Sequence, residues 1–162
     1  IFTHSMGGLV AMYYTTSENY LKNEDVNKII FTSVPHKGSY IATLGQTFYN
    51  DQSVKELAPD SDLFTNVFES AINKGLNSSI QVANIASQYD EVVTEESSSL
   101  EEWKISTETF IIGESSFIVD SILSGDLLNA PNHKGILNNT KVFQRILEML
   151  NSNLSYPAEV VN

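Results

Sequence analysis

The stretch IFTHSMGGLVAMYY (residues 1–14) decides how the rest of the chain is read. It opens as the end of a strand, passes a glycine pair and continues as a helix. Leu9, Val10, Met12, Tyr13 and Tyr14 leave that helix no clear polar face, so it is expected to be largely buried. Gly7 and Gly8 lack Cβ atoms, which lets the helix pass close to the strand and sharpens the turn. A sharp turn lifts the Ser5 hydroxyl out of the sheet edge. The amide of Met6 then lies at the helix N-terminus, where an oxyanion is welcome. These are the mechanics of the G-x-S-x-G nucleophile elbow, with Thr3 in place of the leading glycine. The plainer alternative is a glycine-rich turn with an incidental serine.

Working outward, polar SENYLKNED (17–25) carries the chain back to VNKIIFTSV (26–34), a short apolar run closed by Pro35. That is the pattern of a buried parallel strand. PHKGS (35–39) is a loop by composition. From Ser61 to Leu76, Leu63, Phe64, Val67, Phe68, Ala71, Ile72 and Leu76 recur at helical spacing after a Pro-Asp-Ser start. SIQVANIAS (79–87) returns to strand character, SLEEWKI (99–105) reads as a short helix, and TETFIIG (107–113) is a further strand. Residues 113–130 read as an irregular insertion. TKVFQRILEML (140–150) is an amphipathic helix with Val142, Phe143, Ile146, Leu147 and Leu150 on one stripe, and the tail 151–162 looks loose. Strand and helix alternate along the chain, which argues for a parallel sheet with helices on its faces.

A serine nucleophile needs a base, and the base needs an orienting carboxylate. Behind an elbow these follow in the order Ser, Asp or Glu, His, on loops at the carboxyl ends of later strands. Asp90 in IASQYDEVVT sits just past a strand, where function collects in open parallel sheets; Glu91 and Asp120 are the runners-up. The alternative for Asp90 is a cap on the next helix. Of the histidines, His4 adjoins Ser5 and is expected to point away from it, and His36 comes too early in chain order. His133 lies late, in a loop before the last helix, and is the preferred base, against the alternative of a lone satisfied loop histidine.

Bulk properties narrow the classes. With 162 residues the chain suits one domain, expected over 1–150 with the tail after it. A formal charge of −11 disfavours nucleic acid and anionic lipid surfaces. Part of it is local: DEVVTEESSSLEE (90–102) carries six acids and no base, which reads as a solvated loop and helix face. There is no cysteine, so disulfides, thiolate zinc sites and cysteine catalysis are excluded, and no compartment is selected. No apolar run approaches the roughly 18 residues a membrane span needs. Sequons at Asn77, Asn138 and Asn153 carry meaning only in a secretory setting.

THSMGGLVAMYY resembles the elbow and following helix of the α/β-hydrolases, in particular of bacterial lipases and esterases. IIFTSVPHKGS resembles their next strand and its Pro-His-x-Gly loop, and KELAPDSDLFTNV (55–67) a segment after it. IASQYDEVVTEESS resembles the acid loop, and NHKGILNNTKVFQRILEML the histidine loop and closing helix. The resemblance implies the C-terminal part of an α/β-hydrolase fold: a mostly parallel sheet with helices on both faces. It implies Ser5 as nucleophile, Asp90 as acid, His133 as base and the Met6 N–H as one oxyanion donor. The substrate would be a small-molecule or lipid ester, with no cofactor and no metal. Leu57–Leu76 would line an acyl pocket or simply pack in the core. The same triad also serves acyltransferases and thioesterases, and a non-catalytic binding module is the reading from another class. In that family the elbow follows the fifth strand, so four strands and a second oxyanion donor are expected before Ile1. Lacking that donor costs about 10²–10³ in rate, so the 162 residues alone are expected to be poorly active and prone to associate.

Overall fold

Short apolar runs rich in Ile, Val and Phe become strands because they can be buried on both faces of a sheet. They are β1 (Phe2–His4), β2 (Lys28–Thr32), β3 (Gln81–Ser87) and β4 (Glu108–Ile112). The structure is a computed structural model and describes residues 1–39, 52–73, 76–103, 105–113 and 131–154. The strands lie side by side in chain order, all parallel, with Thr3 opposite Phe31, Phe31 opposite Asn84 and Asn84 opposite Thr109.

A parallel sheet that grows in one direction through right-handed crossovers places every crossover on the same face. That face receives α1 (Met6–Thr15), α2 (Glu18–Asn23) and the helical run Leu63–Asn73. Leu9, Met12, Tyr20, Phe64, Phe68 and Ile72 pack there against Ile29 and Phe31 of β2 and Val82 of β3. The intervening residues point the other way, as period-2 alternation requires. Ile30, Ala83 and Ile85 meet Val142, Ile146 and Met149 of the C-terminal helix (Thr140–Asn151), which covers the second face. The parallel sheet with helices on both faces agrees with the expected fold class.

Several elements differ from the sequence reading. SENYLKNED contains α2, because Ser17 accepts the Tyr20 N–H as its cap and the Tyr20 ring is fully buried. The run after Ser61 winds as a π-helix over Leu63–Phe68 before an α-helical segment, Glu69–Asn73. The wider turn brings residues four apart, such as Phe64 and Phe68, more nearly into line on the core. Those residues serve the core, while Val67 is exposed. α1 is not buried all round: Val10 and Tyr13 are 66% and 56% exposed. On the C-terminal helix the buried row is Val142, Ile146 and Met149, and Phe143, Leu147 and Leu150 of the expected stripe are exposed. The acidic stretch forms a helix (Glu95–Ser98) whose Ser97 and Ser98 are buried. Residues 114–130 of the expected insertion, and 155–162 of the tail, lie outside the described residues. Among the described residues no helix is long and apolar enough to cross a membrane.

Candidate active site

β1 ends at His4 and α1 begins at Met6, so Ser5 alone makes the turn. It does so at φ 53 and ψ −135, in the left-handed half of backbone space that a side chain disfavours. Two hydrogen bonds hold it there: the Ser5 N–H donates to Thr32 O at 3.0 Å, and Ser5 O accepts from the Gly8 N–H at 2.9 Å. Gly8 is the glycine that permits the close approach, since a Cβ there would lie 2.3 Å from Val34 Cγ2. Gly7 has nothing within 4 Å, which corrects the equal role expected for the pair. Thr3, where a glycine was looked for, is buried in β1, and its hydroxyl donates to Ile30 O at 3.4 Å. As the first residue of α1, Met6 has no carbonyl within the helix to accept its N–H.

Asp90 follows β3 and His133 lies in a short helix, Pro131–Gly135, rather than the expected loop. The Ser5 Oγ and His133 Nε2 are 2.9 Å apart, and His133 Nδ1 lies 3.0 and 2.9 Å from the two Asp90 carboxylate oxygens. With the proton on Nδ1 donated to Asp90, the Nε2 lone pair accepts from the Ser5 hydroxyl. The Asp90 carboxylate is wholly buried, and its Oδ1 also accepts the Val92 and Val93 N–H groups at 2.9 and 2.8 Å. It therefore caps the following turn as well as meeting His133. Burial pushes the Asp90 pKa up. The bond to His133, the charge of His133, the Val93 N–H and the nearby Ser33 hydroxyl together outweigh that, and the pKa falls below the ordinary carboxylate value. The Ser33 hydroxyl makes no hydrogen bond among the described residues, so the contacts with His133 and the Val93 N–H carry most of this lowering.

The remaining candidates separate cleanly. Glu91 turns its carboxylate to the main-chain N–H groups of Asn132 and His133 instead of an imidazole. Asp120 lies outside the described residues. His4 makes no bond to Ser5 but donates from Nε2 to His133 O at 2.9 Å. Burial and then the charge of His133 lower the His4 pKa, against the raising effects of that bond and of Asp90. His36 is fully buried, donates from Nδ1 to Ser98 O at 2.9 Å, and lies edge-on to Phe31. Its loop also braces the acid loop, where Ser39 Oγ donates to Val92 O and Ser97 Oγ to Gly38 O. The contacts of Glu91 and His4 were missed from sequence, where their only signal is adjacency to Asp90 and Ser5. Among the described residues no group of three or more histidine or acidic side chains is disposed to hold a metal ion.

A parallel sheet covered on both faces, with a strained strand-to-helix turn at the carboxyl end of β1, defines an α/β-hydrolase-like chain. Residues 1–123 match the family described as the PGAP1-like alpha/beta domain, and the chain belongs to that family. Membership points to a hydrolase-type enzyme. No curated protein matches the chain significantly.

Proposed function

We propose that this chain carries the active centre of a serine hydrolase that cleaves carboxylic esters, as lipases and esterases do. The observation behind the reading is the continuous run of hydrogen-bond contacts from Ser5 Oγ through both nitrogens of His133 to Asp90. In this mechanism His133 Nε2 takes the Ser5 proton as Oγ attacks the acyl carbon. Asp90, held ionised, keeps the second proton on Nδ1 and stabilises the imidazolium. The Met6 N–H points its charge at the oxyanion. The imidazolium then gives its proton to the leaving alcohol, and water, activated by the same imidazole, releases the acyl group.

The test is intact mass of the full-length protein after a fluorophosphonate probe, beside Ser5→Ala. One adduct on the parent and none on the variant is expected, with kcat on a p-nitrophenyl ester lowered about 10⁶-fold in the variant. A folded parent that takes up no probe would overturn the reading. An ester chain-length series then places the acyl preference. The core packing of Phe64, Phe68 and Ile72 removes the main sequence argument for a long acyl pocket.

A further inference from the structure

We infer that Glu91 and His4 are positioning residues that hold the His133 imidazole in place by its main chain, an inference that rests on the hydrolase reading above. His133 belongs to a five-residue helix, Pro131–Gly135, and a helix that short has too few internal hydrogen bonds to fix its own position. Its place is set from outside. The Glu91 Oε2 accepts the His133 N–H at 3.1 Å. The same carboxylate accepts the Asn132 N–H at 3.2 and 3.1 Å from its two oxygens, and the Asn132 side-chain amide at 2.7 Å. One carboxylate thus takes up donors at the start of the helix that have no partner inside it. At the carbonyl end, the His4 Nε2–H donates to His133 O at 2.9 Å. The two imidazole rings lie 4.7 Å apart, tilted by 39°.

The arrangement has a simple logic. Four polar groups of His133, two on the ring and two on the main chain, each meet a partner, and the partners are two dipeptides. Asp90 takes Nδ1 and Glu91 takes the N–H; Ser5 meets Nε2 and His4 takes the C=O. Each loop that supplies a reacting or orienting group also supplies a grip on the backbone that carries the base. The separation of base from nucleophile is then set by the same short segments that place the nucleophile. A displacement of about 1 Å at such a site costs about 100-fold in rate, so the main-chain grips matter for turnover and little for substrate affinity.

The experiment uses the full-length protein and its Glu91→Ala, Glu91→Leu, His4→Phe and His4→Gln variants, with p-nitrophenyl ester kinetics. The low-field proton NMR signal of the His133 Nδ1–H gives a readout independent of turnover. Glu91→Ala and His4→Phe are expected to lower kcat about 10- to 100-fold with KM within about twofold. The low-field signal should broaden or vanish in both. His4→Gln, which restores a nitrogen donor, should recover most of the rate lost in His4→Phe. Wild-type kcat and an unchanged signal in folded Glu91→Ala would overturn the Glu91 half, and the same result in folded His4→Phe the His4 half, while leaving probe labelling of Ser5 intact. A parent that fails to label at Ser5 would instead sink the hydrolase reading, and the NMR comparison would still judge the grips. If Glu91→Ala does not fold, Glu91→Leu carries the test, because it keeps much of the volume and has no acceptor for the Asn132 and His133 N–H groups. A wild-type rate and signal there would overturn the Glu91 half.

Discussion

Ser5 sits at φ 53 and ψ −135 with its N–H and C=O both committed, so the strain cannot relax by moving either neighbour. Strain of this kind costs about 1–3 kcal/mol for a residue with a side chain. Comparing Ser5→Gly with Ser5→Ala isolates it, because both lose the hydroxyl and its contact with His133. Glycine relieves the strain but gives back about 0.5–1 kcal/mol through its greater freedom when unfolded. Ser5→Gly is therefore expected to be more stable than Ser5→Ala by about 1 kcal/mol in urea titrations, with both inactive. Equal stability would mean that the strain is no larger than about 0.5–1 kcal/mol, the cost of glycine's freedom. Asp90→Asn tests the partner. The carboxamide keeps the size but presents the wrong atom to Nδ1, and by analogy with the serine-protease triad kcat should fall about 10⁴-fold. Ser5, Asp90 and His133 could be nominated from sequence because chain order and position after a strand suffice for that, and the structure places them within hydrogen-bond distance of one another. Glu91 was a runner-up for the acid and His4 was set aside as pointing away from Ser5; their main-chain roles were not foreseen, since the partners lie 42 and 129 positions away in sequence.

At the scale of elements, the junction between β1 and α1 depends on one missing methyl group. A Cβ on Gly8 would lie 2.3, 2.6 and 2.9 Å from Cγ2, Cγ1 and Cβ of Val34, which is fully buried. Overpacking of this kind costs about 1–3 kcal/mol, against a gain of under 1 kcal/mol from helix propensity near the helix start. The clash wins, and Gly8→Ala should destabilise by about 1–2 kcal/mol. A double-mutant cycle checks the cause: a Val34→Ala background removes the 2.3 and 2.6 Å contacts and leaves the 2.9 Å one, so the same change should cost clearly less there. An undiminished cost there would place the effect elsewhere. The need for glycine at this turn was readable from sequence, but which of Gly7 and Gly8 carries it depends on Val34 arriving from the next strand. β2 and β3 were legible because continuous apolar runs admit few other fates. α2 was not, because a single buried Tyr20 holds a helix whose other described residues are mostly polar. The C-terminal helix was located correctly, yet its buried row was misjudged because two adjacent apolar rows fit the same periodicity and only the sheet chooses between them.

For the molecule as a whole, the sharpest prediction concerns acid. His36 is fully buried beside Phe31, and its Nε2 has no hydrogen-bond partner among the described residues. Burial lowers its pKa to about 4, against a smaller raising effect of the Ser98 carbonyl that accepts its Nδ1–H. Between the unfolded value near 6.5 and the folded value near 4, the unfolded chain binds more protons than the native one. Stability therefore falls as pH drops through that window, by about 3 kcal/mol in all at 1.36 kcal/mol per unit. Asp90 acts later: its folded pKa is lowered, so its contribution persists above the ordinary carboxylate value and is lost only as pH falls through the folded one. The chain carries a net charge of −11 at neutral pH and has a pI near 4.5. Electrostatic self-repulsion thus weakens within the same window, and loss of stability there cannot be blamed on charge build-up. Urea titrations at pH 7, 6, 5 and 4.5 should show this slope in the wild type and a flatter one in His36→Leu. Leucine leaves the Ser98 carbonyl satisfied, because Asn84 Nδ2 also donates to it at 3.0 Å. Identical slopes in the two proteins would mean that acid unfolds this fold through other groups.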